Sequence, residues 1–199
     1  MTMTPPSEFG TLTVISGCMF AEKSSKLIRI LKRAQYEKKQ VVAIKPSIDG
    51  RYSGTDIVSH SGFKFMAISV THPNDILRVA GIQEAQVIGI DEAQFFDESI
   101  VGVCRELVSQ GKGVVIAGLD LDFRGHPFGS MPTLLATADF VTKLHAACVV
   151  CGGIATRSQR IVNSQEQIVV GDSSAYEARC RKHWSPEPVF ARGGGRADD

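Results

Sequence analysis

Short apolar runs alternate with longer amphipathic stretches over the first three quarters of the chain. The runs predict buried β-strands at five places, namely Thr11–Ile15, Val41–Ile44, Val87–Ile90, Val114–Ala117 and Phe140–Leu144. The helical period between them predicts helices at Ser24–Lys38 and around Ser99–Val108. Short apolar strands separated by helices predict an α/β fold, in which a mostly parallel sheet is covered on both faces.

The pattern changes after Leu144. Cysteines, glycines and short alternating strands such as Arg160–Val170 predict a small β-rich domain there. The last residues contain prolines and a run of three glycines, which predict a disordered tail. We therefore expect an α/β domain over residues 10–144, a small domain over 145–184 and a tail over 185–199.

Composition and charge exclude several classes of partner. Hydrophobic residues make up 43 % of the 199 residues, enough for a real core, and the net charge is +1. A chain so close to neutral gives no electrostatic reason to expect nucleic acid or an acidic membrane. No apolar run approaches the roughly 20 residues that span a bilayer, and no secretory signal is visible at the start. We expect a cytoplasmic protein without nucleic-acid or membrane partners.

Three of the five cysteines and one histidine form two half-sites with metal-ligand spacing near the C-terminus. Cys148 and Cys151 make the first, Cys180 and His183 make the second, and 28 residues lie between them. Three thiolates and an imidazole suit a tetrahedral structural zinc ion, which would tie the intervening segment into a loop. Disulfides and unrelated thiols are the alternatives. Cys104 lies in an apolar-periodic stretch, and we expect it to be a small core residue.

A phosphate-binding motif follows the first predicted strand. Residues Gly17 to Ser24 match the pattern G-x-x-x-x-G-K-S except that Glu22 occupies the second glycine position. In this motif backbone N–H groups cradle phosphates, the lysine meets the β- and γ-phosphates, and the serine hydroxyl meets Mg²⁺. An ordinary strand-to-helix turn is the alternative.

The third predicted strand ends in a second acidic signature. Asp91 directly follows the apolar run, in the position of an NTPase aspartate that helps to hold Mg²⁺. Glu92 beside it could accept a proton from a nucleophile. A solvated strand end is the alternative, and Phe95 could line a pocket or belong to the core.

These motifs, taken in order, resemble type II thymidine kinases, the cytosolic zinc-containing class. The resemblance covers residues 10–184 and includes the stretches Gly17–Ser24, Asp91–Phe96, Leu119–Gly129 and the split Cys₃His site. It implies a RecA-like phosphate-loop core with a small C-terminal zinc domain, whose 28-residue loop acts as a lasso over the nucleoside. It also implies thymidine and ATP as substrates, a deoxyuridine activity, and a homotetramer.

The resemblance further implies a role for individual residues. Glu92 matches the general base of the family, and the ATP and Mg²⁺ contacts fall on Gly17, Met19, Phe20, Lys23, Ser24, Arg51, Asp91 and Gln94. The nucleoside contacts fall on Met19, Phe95, Leu119, Phe123, Phe128, Ser158, Val169, Val170 and Tyr176. A solvent-exposed loop arginine is the alternative for Arg51, and core packing is the alternative for the apolar residues.

The sequence departs from the family at several positions. Glu22 replaces glycine, Ala21 replaces a usual serine, Ser158 replaces threonine, and Asp172 replaces the second glycine of the lasso pair. The helix start at Ser25 and Lys26 is also unusual. We expect Glu22 to weaken ATP binding through backbone strain and charge repulsion.

Three functional hypotheses follow from these departures. The first is an active or weakened thymidine kinase, which the intact metal and base residues favour. The second is a kinase-derived nucleotide-binding or regulatory protein that Glu22 has disabled. The third is a zinc-ribbon ATPase acting on nucleic acid, and the absence of a basic stripe argues against it.

Overall fold

The computed structural model describes residues 10–47, 56–59, 61–164, 166, 167, 169 and 173–189. Three positions singled out in the sequence, Arg51, Val170 and Asp172, lie outside the described residues, as does most of the tail predicted to be disordered. No helix among the described residues combines the length and the apolar character needed to cross a bilayer.

The described chain contains strands and helices in a regular order. The strands are β1 Thr11–Ser16, β2 Val41–Pro46, β3 Asp56–Val58, β4 Lys64–Met66, β5 Ile68–Val70, β6 Val87–Ile90, β7 Gly113–Gly118, β8 Phe140–Lys143, β9 Ala146–Ala147, β10 Ile154–Ala155, β11 Arg157–Arg160 and β12 Tyr176–Arg179. The α-helices are α1 Lys23–Tyr36, α2 Ser99–Ser109 and α3 Met131–Thr137, and short 3₁₀ helices span Pro73–Arg78 and Ala93–Phe95.

A parallel sheet forms the centre of the molecule. Its strand order is β5-β2-β6-β7-β1-β8, and every pairing recorded within it is parallel. Alternate residues of β1 point to opposite faces, so Val14 packs on the α2 and α3 side while Ile15 packs on the α1 side. Helices on both faces bury these apolar strands, which is the arrangement that the sequence pattern predicts.

The central elements confirm the predicted α/β class, with shifts of one or two residues at their ends. Short elements escaped prediction, namely the sixth strand β5, the β3–β4 hairpin and helix α3. Each has seven residues or fewer, which is too short for a periodic pattern to stand out.

The prediction of strands over Arg160–Val170 is wrong. Among the described residues of this stretch only Arg160 belongs to a strand, and β11 pairs instead with the later strand β12 in an antiparallel ladder. The described residues that follow Arg160 curve around its side chain, because the guanidinium binds the carbonyl oxygens of Ser164, Glu166 and Gln167.

The C-terminal strands pack against the loops at the end of the central sheet. Cys18 Sγ lies 3.3 Å from the carbonyl oxygen of Ala155, and the Met19 N–H donates to Ser158 Oγ at 3.1 Å. The indole N–H of Trp184 donates to the Phe123 carbonyl at 3.2 Å. Contacts therefore cross the predicted boundary near residue 144, and the domain limits stay a prediction.

Candidate active site

All strands of a parallel sheet end at the same edge, and the predicted site residues follow those ends. The Gly17–Ser24 loop follows β1, Asp91 follows β6, and Leu119 follows β7. This edge is where open α/β sheets bind their ligands.

The loop between β1 and α1 needs backbone conformations that side chains disfavour. Gly17 has φ 148°, and a Cβ there would lie 2.4 Å from the Leu144 carbonyl oxygen, so only glycine fits. Phe20 and Glu22 are left-handed, with φ values of 63° and 59°. A left-handed residue with a Cβ costs about 1–2 kcal/mol. Glu22 therefore adopts the geometry that explains the motif's usual glycine.

Hydroxyl groups hold the Glu22 side chain. Ser25, in the first turn of α1, and Ser61, beside the β3–β4 hairpin, both donate hydrogen bonds to Glu22 Oε2, the second at 2.8 Å. The two hydroxyl oxygens lie 2.8 Å apart. Hydrogen bonds to a charged acceptor contribute about 1.5–3 kcal/mol each, so this cluster can offset the backbone cost.

The next two residues, Lys23 and Ser24, bind the backbone of the loop and the Asp91 carboxyl group. Lys23 is buried, and its Nζ donates to the Cys18 carbonyl at 2.8 Å, across the loop. Ser24 donates a side-chain hydrogen bond to Asp91. Burial, and then the charge of neighbouring Glu92, raise the pKa of Asp91 to about 7 against the lowering effect of Ser24 and Lys23.

A buried glutamine connects the ends of β6 and β7. Gln94 donates through its side-chain N–H to Glu92 Oε2 and accepts, through Oε1, the Leu119 N–H at 2.9 Å. Glu92 itself is partly exposed and left-handed, with φ 51°. The Gln94 amide thereby holds the Glu92 carboxylate at the carboxyl ends of the strands.

The apolar residues predicted to contact nucleoside form two groups. In the first, Phe95 and Phe128 meet edge to face with ring centroids 5.8 Å apart. In the second, Phe123 and Tyr176 are buried against Met19 and Val169. Leu119 follows β7, and the Ser158 hydroxyl reaches the backbone of Met19. The fold thus brings residues from distant segments to one edge.

Sequence reasoning missed three charged residues near this site. Arg160 is fully buried behind Phe123 and Tyr176. Asp120 is buried after the end of β7, and its Oδ2 lies 2.6 Å from Lys143 Nζ at the end of β8. The rule that identified Asp91, an acidic residue directly after a buried strand, could also have identified Asp120.

The four predicted zinc ligands lie together. Their ligand atoms all fall within 4.8 Å of one another. Cys151 Sγ is 3.9 Å from Cys180 Sγ, and His183 Nδ1 is 3.3 Å from Cys180 Sγ and 3.8 Å from Cys148 Sγ. Zinc–ligand bonds of about 2.0 to 2.3 Å would separate ligands by about 3.5 to 3.8 Å in a tetrahedron. The residues therefore fit a zinc ion.

The surroundings of the Cys148 thiol favour its ionised form. Burial opposes the thiolate, but backbone N–H groups of Cys180, Val150 and Cys151 together with the His183 ring outweigh it and lower the pKa of Cys148 to about 6. All described cysteines are free thiols.

The fold and site together define a nucleotide-binding protein of the phosphate-loop class. Among solved structures, the flagellar accessory protein FlaH from Methanocaldococcus jannaschii is similar in fold, with a TM-score of 0.50 and 9 % identity. The match covers 79 % of this chain and 75 % of that one. At this identity the similarity shows the fold alone.

Closer relatives identify the family. The family model "Thymidine kinase" matches residues 10–184. A thymidine kinase from Coprothermobacter proteolyticus is 55 % identical over 180 residues, covering 87 % of this chain and 90 % of that protein. Another from Mycoplasma capricolum is 48 % identical over 186 residues, covering 88 % and 89 %. The chain belongs to the thymidine kinase family, which confirms the resemblance and does not favour the regulatory or nucleic-acid alternatives.

The raised pKa of Asp91 predicts a pH dependence of stability. Between the ordinary aspartate pKa of 3.8 and about 7, the folded protein holds a proton that the unfolded chain has released. The free energy of unfolding must therefore fall as pH rises through this window and level off above it. Asp91→Asn should remove the fall and stabilise the protein at neutral pH.

Urea unfolding of both proteins between pH 4 and pH 8, without Mg²⁺ or nucleotide, tests this prediction. Subtracting the two curves of unfolding free energy against pH removes the contributions of the other titrating groups, which both proteins share. Asp97→Asn is the flat control: the Ser99 hydroxyl and N–H lower the pKa of Asp97 below its ordinary value of 3.8, so its difference from wild type should stay constant between pH 4 and pH 8. A constant difference between wild type and Asp91→Asn at every pH would contradict the assignment.

Proposed function

We propose that the protein transfers the γ-phosphate of ATP to the 5′-hydroxyl of thymidine, with deoxyuridine as a further acceptor. The observation that carries this proposal is the constellation Lys23, Ser24, Asp91 and Glu92 at one sheet edge in a chain whose residues 10–184 match the thymidine kinase family. Phosphoryl transfer depends mainly on positioning and charge neutralisation, and these residues supply both.

The loop after β1 would bind the ATP phosphates. Its backbone N–H groups lie at the start of α1, where the helix dipole favours anions. Lys23 would leave the Cys18 carbonyl to meet the phosphates, and Ser24 and Asp91 would hold Mg²⁺, which screens the phosphate charge. Arg51, outside the described residues, remains a predicted phosphate contact.

Glu92 would act as the general base. It takes the proton from the 5′-hydroxyl while that oxygen bonds to the γ-phosphorus and the bond to the β-phosphate oxygen breaks, releasing ADP. The hydrogen bond from Gln94 supports this role because it orients the carboxylate. We therefore propose that Gln94 orients Glu92, whereas the family resemblance places Gln94 among the ATP contacts.

The apolar part of the site suits the uncharged thymine ring of the nucleoside. Met19, Phe123, Val169 and Tyr176 would surround thymine and sugar, with Phe95, Leu119 and Phe128 beside them. Pockets of this kind combine apolar walls with a few fixed polar groups. Ser158 already accepts the Met19 N–H, which would leave its own hydroxyl proton for another acceptor. Val170 remains a predicted contact outside the described residues.

Structural zinc and self-association complete the proposal. Cys148, Cys151, Cys180 and His183 would hold one ion with no open position for water, so the metal supports folding and not chemistry. A cytoplasmic homotetramer is the assembly expected from the family, and sedimentation of the purified protein would measure its size.

Glu92→Gln tests the proposed reaction most sharply. The amide cannot accept the hydroxyl proton, so turnover should fall by about 10²-fold or more while thymidine binding is retained. Formation of thymidine monophosphate is measured with saturating Mg²⁺ and ATP, over a panel of deoxynucleosides. Glu98→Gln, an exposed carboxylate at the start of α2, is the matched control and should behave as wild type. Turnover by Glu92→Gln near that of the control would exclude Glu92 as the base.

Metal analysis tests the zinc site. Purified wild type should contain one zinc ion per chain under reducing conditions without chelator, because four ligand atoms lie within 4.8 Å of one another. Cys180→Ser should lose the ion and unfold at lower temperature, since metal binding contributes to folding free energy. Cys104→Ala, a core cysteine distant in sequence from the cluster, should keep its zinc. Wild type free of zinc would refute the site.

Two variants separate the effects of Glu22 on ATP. Glu22 adopts a left-handed φ of 59°, and hydrogen bonds from Ser25 and Ser61 hold its side chain, so we expect no further backbone cost when ATP binds. Only the carboxylate charge should oppose ATP. Glu22→Gln and Glu22→Gly should therefore tighten ATP equally, by about two- to tenfold, an effect that salt screens. Calorimetric titration at two salt concentrations measures it, and tightening by glycine far beyond glutamine would show that the loop changes conformation on binding.

A further inference from the structure

Arg160 is a buried cation for which the described residues supply no carboxylate partner. Its side chain has 0 % exposure at the end of β11, and no ion pair within the described part of the chain includes it. Burying an uncompensated charge is costly, so the groups that surround this guanidinium must replace its hydration.

Backbone carbonyls of the loop after β11 supply that compensation. Nη1 donates to the carbonyl oxygens of Ser164, at 3.2 Å, and of Glu166, while Nη2 donates to that of Gln167 at 3.2 Å. Nη2 also donates to the Tyr176 hydroxyl, which in turn donates to the Val169 carbonyl at 3.1 Å. One planar group thus organises the described residues between 164 and 169.

The same guanidinium stacks on the aromatic wall. Its central carbon lies 3.7 Å from the Phe123 ring centroid and 5.1 Å from that of Tyr176. The loop reaches the same wall independently, because Gln167 donates to Asp122 Oδ2 at 3.2 Å. Arg160 therefore joins the loop to the two rings that face Met19 and Val169.

We propose that Arg160 is a positioning residue for the nucleoside. It holds the loop and the Phe123–Tyr176 wall in the binding conformation before the substrate arrives, without touching the substrate. This inference rests on the proposed thymidine site. Arginine is required because its rigid fork serves several carbonyls at once and its flat face stacks on a ring, whereas a lysine ammonium does neither as well.

Arg160→Lys tests the proposal, because it keeps the charge and removes the fork. The KM for thymidine should rise by about tenfold or more, since several charge-assisted hydrogen bonds are lost. The kcat at saturating thymidine and the KM for ATP should stay within about threefold of wild type, because the phosphate loop is not altered. Arg157→Lys, on the same strand, is the control; its guanidinium contacts Thr156 and Trp184 but not the loop.

A protease assay on the wild type keeps the proposal testable if the variant fails to fold. Cleavage after Glu166 by a glutamate-specific protease should be slow even without thymidine, and faster in a folded, zinc-loaded Arg160→Lys protein. Rapid cleavage of the free wild type, or an unchanged thymidine KM in folded Arg160→Lys, would overturn the proposal. Wild type that lacked kinase activity would refute the proposed function instead, and the protease result would still judge whether Arg160 orders the loop.

Discussion

The left-handed turn between β1 and α1 is the constraint on which the rest of the site depends. Gly17 brings the chain so close to the Leu144 carbonyl that no side chain fits, and Phe20 and Glu22 then turn it into α1. Within the turn, Cys18 and Met19 contact Ala155 and Ser158. The phosphate loop is therefore held between the central sheet and the C-terminal strands, and both must fold to shape it.

The electrostatics of the site suit a highly charged ligand. Asp91 and Glu92 lie next to each other where two carboxylates repel, and burial makes ionisation of Asp91 harder still. A magnesium ion would relieve that repulsion, while Lys23 would oppose the phosphate charge. Glu22 adds a further carboxylate, but Ser25 and Ser61 hold it with hydrogen bonds. The unusual residue is thus accommodated by neighbours outside the motif itself.

The long elements and the charged strand ends could be predicted from sequence, because both follow from strong local rules. Apolar runs located β1, β2, β6, β7 and β8, and an acidic residue after β6 indicated Asp91. The position of β12 and the course of the loop after Arg160 could not be predicted. The strand β12 depends on its ladder with β11, and the loop depends on one buried guanidinium that binds backbone carbonyls. Neither tertiary interaction leaves a periodic pattern. Spacing indicated the zinc ligands, but only the fold shows that their ligand atoms lie within 4.8 Å of one another.

A phosphate loop with glutamate in place of glycine must serve a working kinase if the proposed function is correct. The most direct test titrates Mg²⁺·ATP into the wild-type protein by calorimetry and assays the same preparation for thymidine monophosphate. We predict saturable ATP binding together with turnover of thymidine that requires Mg²⁺. Saturable ATP binding with no phosphorylation of any deoxynucleoside would contradict it, as would the absence of ATP binding.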